Sequence, residues 1–291
     1  MMKGIVRAGG SGTRLYPSTK AVNKHFFPIY DKPAVFYPIS LLIQAGVTEI
    51  MLSVFQKDQQ AYYDLLGDGS RFGVSIRYQA EDRPMTIPET LVACKDFIGT
   101  QPFAVALGDN VFLGDGLRQS MRSAVDRFDK TGGAVVFCKA VEDPRDYGVL
   151  EYSADGSIRS LESKPREPKS NYAVTGLFFF DAEVFETIKR TKPSEDGSVN
   201  FADMLRQYLK ENRLYSEILG DGIRWFDIGT PERLYQACSA VRDYQHSGET
   251  YAGSIEEAAF ECGLIDTDRL RALSEELKPT AYGRHLAQLA D

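Results

Sequence analysis

Cysteine, histidine and tryptophan are scarce in this chain, with four Cys, three His and one Trp among 291 residues. Cys94, Cys138, Cys238 and Cys262 show no Cys-x-x-Cys spacing, which argues against a structural zinc site or a dithiol redox motif. With no export signal recognisable ahead of them, reduced thiols are expected rather than a disulfide framework. Apolar runs of the roughly 20 residues that a membrane span needs are also missing. Met1-Met2-Lys3-Gly4-Ile5 leads straight into a strand, so a cytoplasmic protein with no signal peptide and no membrane partner is expected. Positive charge is not in excess either. A formal net charge of −7 supplies no broad basic face for a nucleic acid, so any phosphate chemistry must rest on local cations.

What is present is an ordinary globular composition, 43% hydrophobic and 26% charged, in a chain long enough for one large α/β domain with an appendage. Strands are predicted at Lys3–Arg7, Glu49–Phe55, Val74–Gln79 and Pro102–Gly108, with helices at Pro33–Ala45 and Gln59–Leu66 between them. Thr86-Ile87-Pro88-Glu89 reads as a capping box opening a further helix to about Phe97. Such alternation implies a mostly parallel sheet. From Ala134 the pattern turns β-rich, with strands at Ala134–Val141, Val149–Tyr152, Ile158–Glu162 and Tyr172–Phe180. Helices return at Ala182–Lys189, Phe201–Glu211 and Pro231–His246, and the last forty or so residues are largely helical. The expected organisation is a catalytic domain over residues 1–245 and a helical extension over 246–291.

Three groups of residues carry chemistry. The first strand runs into Ala8-Gly9-Gly10-Ser11-Gly12-Thr13-Arg14, a turn whose backbone N–H groups can surround an anion while Arg14 adds a two-pronged cation. It is neither a P-loop nor a full dinucleotide fingerprint, since Leu15 stands where the third glycine would be; on its own it also serves as a tight strand-to-helix connection. Lys24 follows closely, and Arg7 places a charge where the strand should be apolar. The second group is Asp109-Asn110 at the end of a buried strand, matched far downstream by Asp227. Two carboxylates plus phosphate oxygens suit Mg2+, which takes few protein ligands. The third is Glu162-Ser163-Lys164-Pro165, where strand alternation sets Glu162 and Lys164 on one side. The glycine turn, Glu81–Glu89 and Asp109-Asn110 all fall at carboxyl ends of strands, where open parallel sheets bind ligands.

These motifs, in order and nearly end to end, resemble the nucleotide-sugar pyrophosphorylases, most of all the members that use dTTP and glucose 1-phosphate. The matching stretches include Ala8–Pro17, Lys24–Pro28, Leu65–Gly73, Leu107–Asn110, Tyr147–Val149, Lys164–Gly176 and Trp225–Thr230. The resemblance implies an α/β fold with a Rossmann-like, mostly parallel mixed sheet, a small β-rich sugar-binding part and a helical C-terminal tail. It implies transfer of a nucleotidyl group from a nucleoside triphosphate to a sugar 1-phosphate or related phosphate, with release of pyrophosphate. In its terms Ala8, Gly9, Gly10, Ser11, Gly12 and Thr13 cradle the triphosphate, and Arg14, Lys24 and Lys164 are catalytic. Asp109 and Asp227 hold Mg2+, while Asn110, Gly148, Glu162 and Val174 line the acceptor. A homo-oligomer, tetramer or dimer, is implied as well.

Departures from the family pattern cluster at the pocket. Arg7 replaces a leucine, Glu81 a glutamine expected to pair with thymine, Thr86 a glycine, and His25 a glutamine. Ser163 replaces a glutamate, and Ile228 a threonine. An ionised Glu81 can only accept hydrogen bonds, so it repels the carbonyls of thymine and uracil; with Arg7 it complements cytosine, or guanine. CTP or GTP is therefore expected over dTTP. Ser163 and Ile228 point to an altered acceptor. The competing class is a non-catalytic homologue in which Arg7 and Glu81 pair and close the base pocket, leaving a binding or regulatory protein.

Overall fold

A computed structural model describes residues 2–114, 116–248 and 251–291. The chain folds as an α/β protein in two compact units. One unit, carrying the glycine turn, comprises Gly4–Pro84, Ala106–Leu113 and Phe226–Asp291; the other comprises Met85–Val105 and Gly114–Trp225, with the N-terminal residues through Lys3.

In the unit with the glycine turn, the strands Lys3–Arg7, Glu49–Phe55 and Ser75–Glu81 pair in parallel. Arg7 stands level with Ser53, and Phe55 with Glu81, so all three strands end at the same edge. The interiors of the first two are buried runs such as Ile-Met-Leu-Ser-Val, as sheets covered on both faces require, whereas Ser75–Glu81, the last strand of the row, is only partly buried. The helix Phe36–Gln44 is apolar on nearly every side, with Phe36, Ile39, Leu42 and Ile43 all buried, and it packs on the C-terminal helix Ile255–Glu261. Sequence reading starts this first helix at Pro33. Instead Lys32–Pro33 pairs with Pro28–Ile29 in a small hairpin whose turn residue Tyr30 has φ 65°.

The helix Pro231–His246 and the tail helices Ile255–Glu261, Thr267–Glu276 and Ala281–Leu289 close over that hairpin. Lys32 is 1% exposed. Its ammonium donates to Asp31 Oδ1 at 2.6 Å and to Gln245 Oε1 at 3.0 Å, and faces the rings of Tyr251 and Tyr282 at 5.2 and 4.7 Å. A buried cation is tolerable only when so paired.

The second unit is the β-rich part. Its strands run Ile158–Ser163, Gly148–Tyr152, Tyr172–Phe180, Ala134–Ala140 and Leu214–Ile218 in spatial order, antiparallel except for the last pair. Phe178, Phe180, Phe201 and Tyr208 pack edge-on and tilted against one another in its core. The helix Leu117–Thr131 and the strand Leu214–Ile218 are additions to the elements read from sequence. The capping box is present, with Thr86 and Glu89 bonded reciprocally at 2.7 and 3.3 Å, although its helix ends at Ala93 and a short one follows at Lys95–Ile98. Among the described residues no helix is long and apolar enough to cross a membrane.

Candidate active site

The glycine turn owes its glycines to what lies beneath it. A Cβ on Gly9 would come within 2.1 Å of Glu81 Oε2, and one on Gly10 within 3.3 Å of Lys24 Cε. Gly12 has φ 61°, a conformation that favours glycine, and Thr19 Oγ1 donates to its carbonyl at 2.7 Å. From Gly12 the chain enters the 3-10 turn Thr13–Leu15, which carries Arg14. The backbone thus rides over polar side chains that only glycine lets so close.

Lys24 and His25 sit on the short turn Lys24–Phe26, which Asn23 caps by accepting from His25 N at 3.2 Å. Lys24 Nζ forms an ion pair with Asp109 Oδ2, the two side chains being 11% and 18% exposed. Burial alone would raise the Asp109 carboxyl. The charges of Lys24 and His25 and hydrogen bonds from Lys24 and Asn110 outweigh that and hold it well below the usual carboxylate range. Asn110, expected at the acceptor, donates from Nδ2 to Asp109 Oδ1 at 3.0 Å. His25 is buried, shares a 2.7 Å contact between Nδ1 and Asn23 Oδ1, and lies against Gly108. Burial first, then Lys24 and Arg7, pushes its imidazole down to about 3, so the ring is neutral near pH 7.

The second carboxylate is brought alongside by the backbone, as Ile228 N donates to the Asp109 carbonyl at 3.0 Å. Asp227 Oδ1 accepts from Gly229 N at 2.9 Å, and Oδ2 from Arg233 Nη1 at 3.2 Å. Arg14 Nη2 lies 3.9 Å from the same Oδ2, flat against Gly229, where a Cβ would meet it at 2.3 Å. Burial and then the negative charge of Asp109 raise the Asp227 carboxyl, against the pull of Lys24, Arg14 and Arg233. Two neighbouring carboxylates under mutual strain are a fitting donor pair for a hard divalent cation. Among the described residues no group of three His, Cys, Asp or Glu side chains is placed to hold a metal.

Beside the turn lies a cleft of about 680 Å³, within the range of small-molecule sites. Gly10, Ser11 and Glu81 line it, together with Tyr16, Lys20, Phe55 and Lys57, residues that sequence reasoning did not single out. Lys20 lies 5.5 Å from the Tyr16 ring centroid, an i,i+4 spacing that offers a signal only after the cleft is known. Glu81 forms the floor at 2% exposure. Arg7 ends the strand next but one.

In the β-rich unit, the register sets Gly148 between Ser163 and Val174, with Val174 Cβ 3.5 Å from where a Gly148 Cβ would stand. Glu162 falls opposite Val149, on the other face of the sheet. Its carboxylate is engaged by Lys169 at 2.6 Å, so it is not brought into that row. The strand ends at Ser163, and Lys164 turns out of it with φ 47°, its N–H donating to the Tyr147 carbonyl at 2.8 Å. Strand alternation therefore stops short of Lys164. The hydroxyl of Thr86 serves the helix cap. Ile228, taken from sequence as an acceptor-side change, has its side chain in a core with Ile29, Tyr37, Val111 and Val241; it answers to packing.

Comparison with known proteins identifies the family. The family model described as Nucleotidyl transferase matches residues 3–244. A glucose-1-phosphate thymidylyltransferase of Mycolicibacterium smegmatis is 42% identical over 290 residues, covering 100% of this chain and 99% of its own length. One of Neisseria gonorrhoeae is 40% identical over 288 residues, covering 99% of each. A crystal structure described as "a Putative Glucose-1-Phosphate Thymidylyltransferase from Bacillus anthracis" superposes with a TM-score of 0.77 at 38% identity, covering 84% of this chain and 96% of the other. An apo UDP-glucose pyrophosphorylase, at 21% identity and a TM-score of 0.72, shares the fold.

Proposed function

The chain belongs to the nucleotidyl transferase family as a sugar-1-phosphate nucleotidyltransferase, and from that premise we propose how it works and on which nucleotide. The acceptor's phosphate oxygen attacks the α-phosphorus of a nucleoside triphosphate; a new P–O bond forms as the bond to the bridging oxygen breaks, and pyrophosphate leaves with the electron pair. No bond to the enzyme is made. Residues Ala8–Thr13 cradle the triphosphate, Arg14 takes the departing pyrophosphate, and Lys24 holds the α-phosphate where charge builds. Lys164 holds the acceptor's phosphate, and Gly148 and Val174 lie against the acceptor itself. Asp109 and Asp227 would hold Mg2+, which when bound neutralises phosphate charge. The single observation that carries this reading is the convergence of Lys24, Asp109, Asp227 and Arg14 beside the glycine turn.

For the base, Glu81 at the floor of the cleft favours a nucleotide that donates hydrogen bonds, so CTP or GTP is preferred over dTTP and UTP. A site built for donors rejects a base lacking them by ~10⁴-fold or more. The names of the relatives favour dTTP instead. For the acceptor, the Ser163 hydroxyl in the row with Gly148 and Val174 offers no charged acceptor to a sugar hydroxyl, which suits a deoxy sugar, an amino sugar or another phosphate better than plain glucose 1-phosphate. Residues 1–245 act as the catalytic domain and 246–291 as a helical extension of a cytoplasmic homo-oligomer.

The test is pyrophosphate release with CTP, GTP, UTP, dTTP and ATP, with Mg2+ and a panel of sugar 1-phosphates. A clear preference for dTTP sinks the base assignment. Should no triphosphate raise thermal stability, the protein is instead a non-catalytic binding homologue.

A further inference from the structure

Within Glu49-Ile-Met-Leu-Ser-Val-Phe55, one polar side chain interrupts an apolar, buried strand. Ser53 is wholly buried. Its register places it level with Arg7 on one side and Gln79 on the other, and alternation puts Glu81 on that same face. The Ser53 hydroxyl donates to Glu81 Oε1, while Glu81 Oε2 lies directly under Gly9. The carboxylate is thus pinned from two directions, by a hydroxyl below and by the α-carbon of the nucleotide turn above. A buried carboxylate needs such a partner. A glutamate side chain with three rotatable bonds also needs fixing if it is to discriminate between bases by angle.

We propose that Ser53 is a positioning residue for nucleobase discrimination, setting the orientation in which Glu81 meets the base. This rests on the reading of Glu81 as the base-recognising group. Ser53 does not touch the nucleotide; it acts through Glu81. The Ser53 carbonyl accepts from Ala8 N at 2.7 Å at the entry to the glycine turn, a backbone bond that a change of side chain leaves in place, so phosphate binding does not rest on the hydroxyl.

The experiment is a titration of the full chain, in magnesium buffer, with CTP, GTP, UTP, dTTP and inorganic tripolyphosphate. Wild type, Ser53→Ala, Ser53→Thr, Ser53→Cys and Glu81→Gln are compared. Ser53→Ala is expected to lower the preference for the favoured triphosphate over dTTP by about tenfold, the scale of one hydrogen bond to a charged group, with tripolyphosphate affinity unchanged. Ser53→Thr restores the hydroxyl and the preference. Ser53→Cys, similar in volume but a weak donor, falls between them and serves if the alanine variant folds poorly. An unaltered base preference in Ser53→Ala, or a loss shared equally by tripolyphosphate, overturns the role of Ser53. An unaltered preference in Glu81→Gln overturns the base reading itself, and wild-type preference for dTTP does the same.

Discussion

Replacing Lys24 by methionine strands a buried carboxylate, and the consequence can be worked through. Lys24 and Asp109 are 11% and 18% exposed, so their attraction is weakly screened, and removing one partner of such a pair costs roughly 3–5 kcal/mol. Lys24→Met is expected to lose that much in urea unfolding at pH 7. Adding Asp109→Asn should return at least about 2 kcal/mol, because no charge is then left alone. The sign with pH follows from the carboxyl. In the wild type it is depressed, so its contribution is present above the unfolded value of ~3.9 and is lost as pH falls below that. With Lys24 gone, burial is opposed only by His25 and the Asn110 hydrogen bond and raises the carboxyl, so acid relieves the variant. The deficit of Lys24→Met relative to wild type should shrink between pH 7 and pH 4.5 and stay flat for the double variant, which controls for Asp227 beside it. A deficit under ~0.5 kcal/mol at pH 7, or one independent of pH, refutes the reasoning.

Gly9→Ala sets a methyl 2.1 Å from Glu81 Oε2, and since Ser53 anchors that carboxylate, overpacking should cost about 1–3 kcal/mol; Glu81→Ala should relieve it in a double-mutant cycle. Gly229→Ala meets Arg14, whose side chain is half exposed and free to move aside, but also Asp227 Oδ1 at 2.8 Å, on a side chain only 14% exposed. Overpacking against Asp227 should therefore cost about 1 kcal/mol of thermal stability, while the Michaelis constant for the triphosphate rises severalfold in steady-state kinetics. His25, lowered to about 3 by burial, Lys24 and Arg7, contributes stability that is full above ~6.5 and lost as pH falls toward the folded value. Between pH 6.5 and 4.5 the wild type should lose about 2 kcal/mol that His25→Gln does not lose, measured by urea unfolding at each pH.

Much of the site was legible because its members carry charge at places where the local pattern predicts a strand end. Asp109 closes an apolar run, and Arg14 and Lys24 bracket a glycine turn; such features stand out with no knowledge of distant contacts. Ser53 was not legible, since a lone serine in an apolar strand means nothing until the register sets it against Glu81. Glu162 illustrates the reverse. Its charge drew attention, but which sheet face it takes depends on the pairing of Ser163 with Gly148, a property of the neighbouring strand. Ile228 looked like a substrate-side change because it follows Asp227, whereas its side chain packs into the core. The helix Leu117–Thr131 had a signal, with Met121, Ala124 and Phe128 spaced to share one buried face. The first helix was begun too early because Pro33, a favoured helix opener, here belongs to the hairpin Pro28–Pro33.

The enclosure of Lys32 has a consequence in time. Its partners Gln245, Tyr251 and Tyr282 leave the ribosome more than two hundred residues after it does. At ~5–20 residues per second, the hairpin waits roughly 10–50 s for the side chains that shelter its ammonium. Until then the clasp on the unit that carries the glycine turn, a unit assembled from three separated stretches of chain, stays open. The residues grouped around the glycine turn, the last of them Arg233, have all emerged before this clasp forms, and a chain released short of Tyr282 carries a solvated lysine where the finished molecule has a buried clasp.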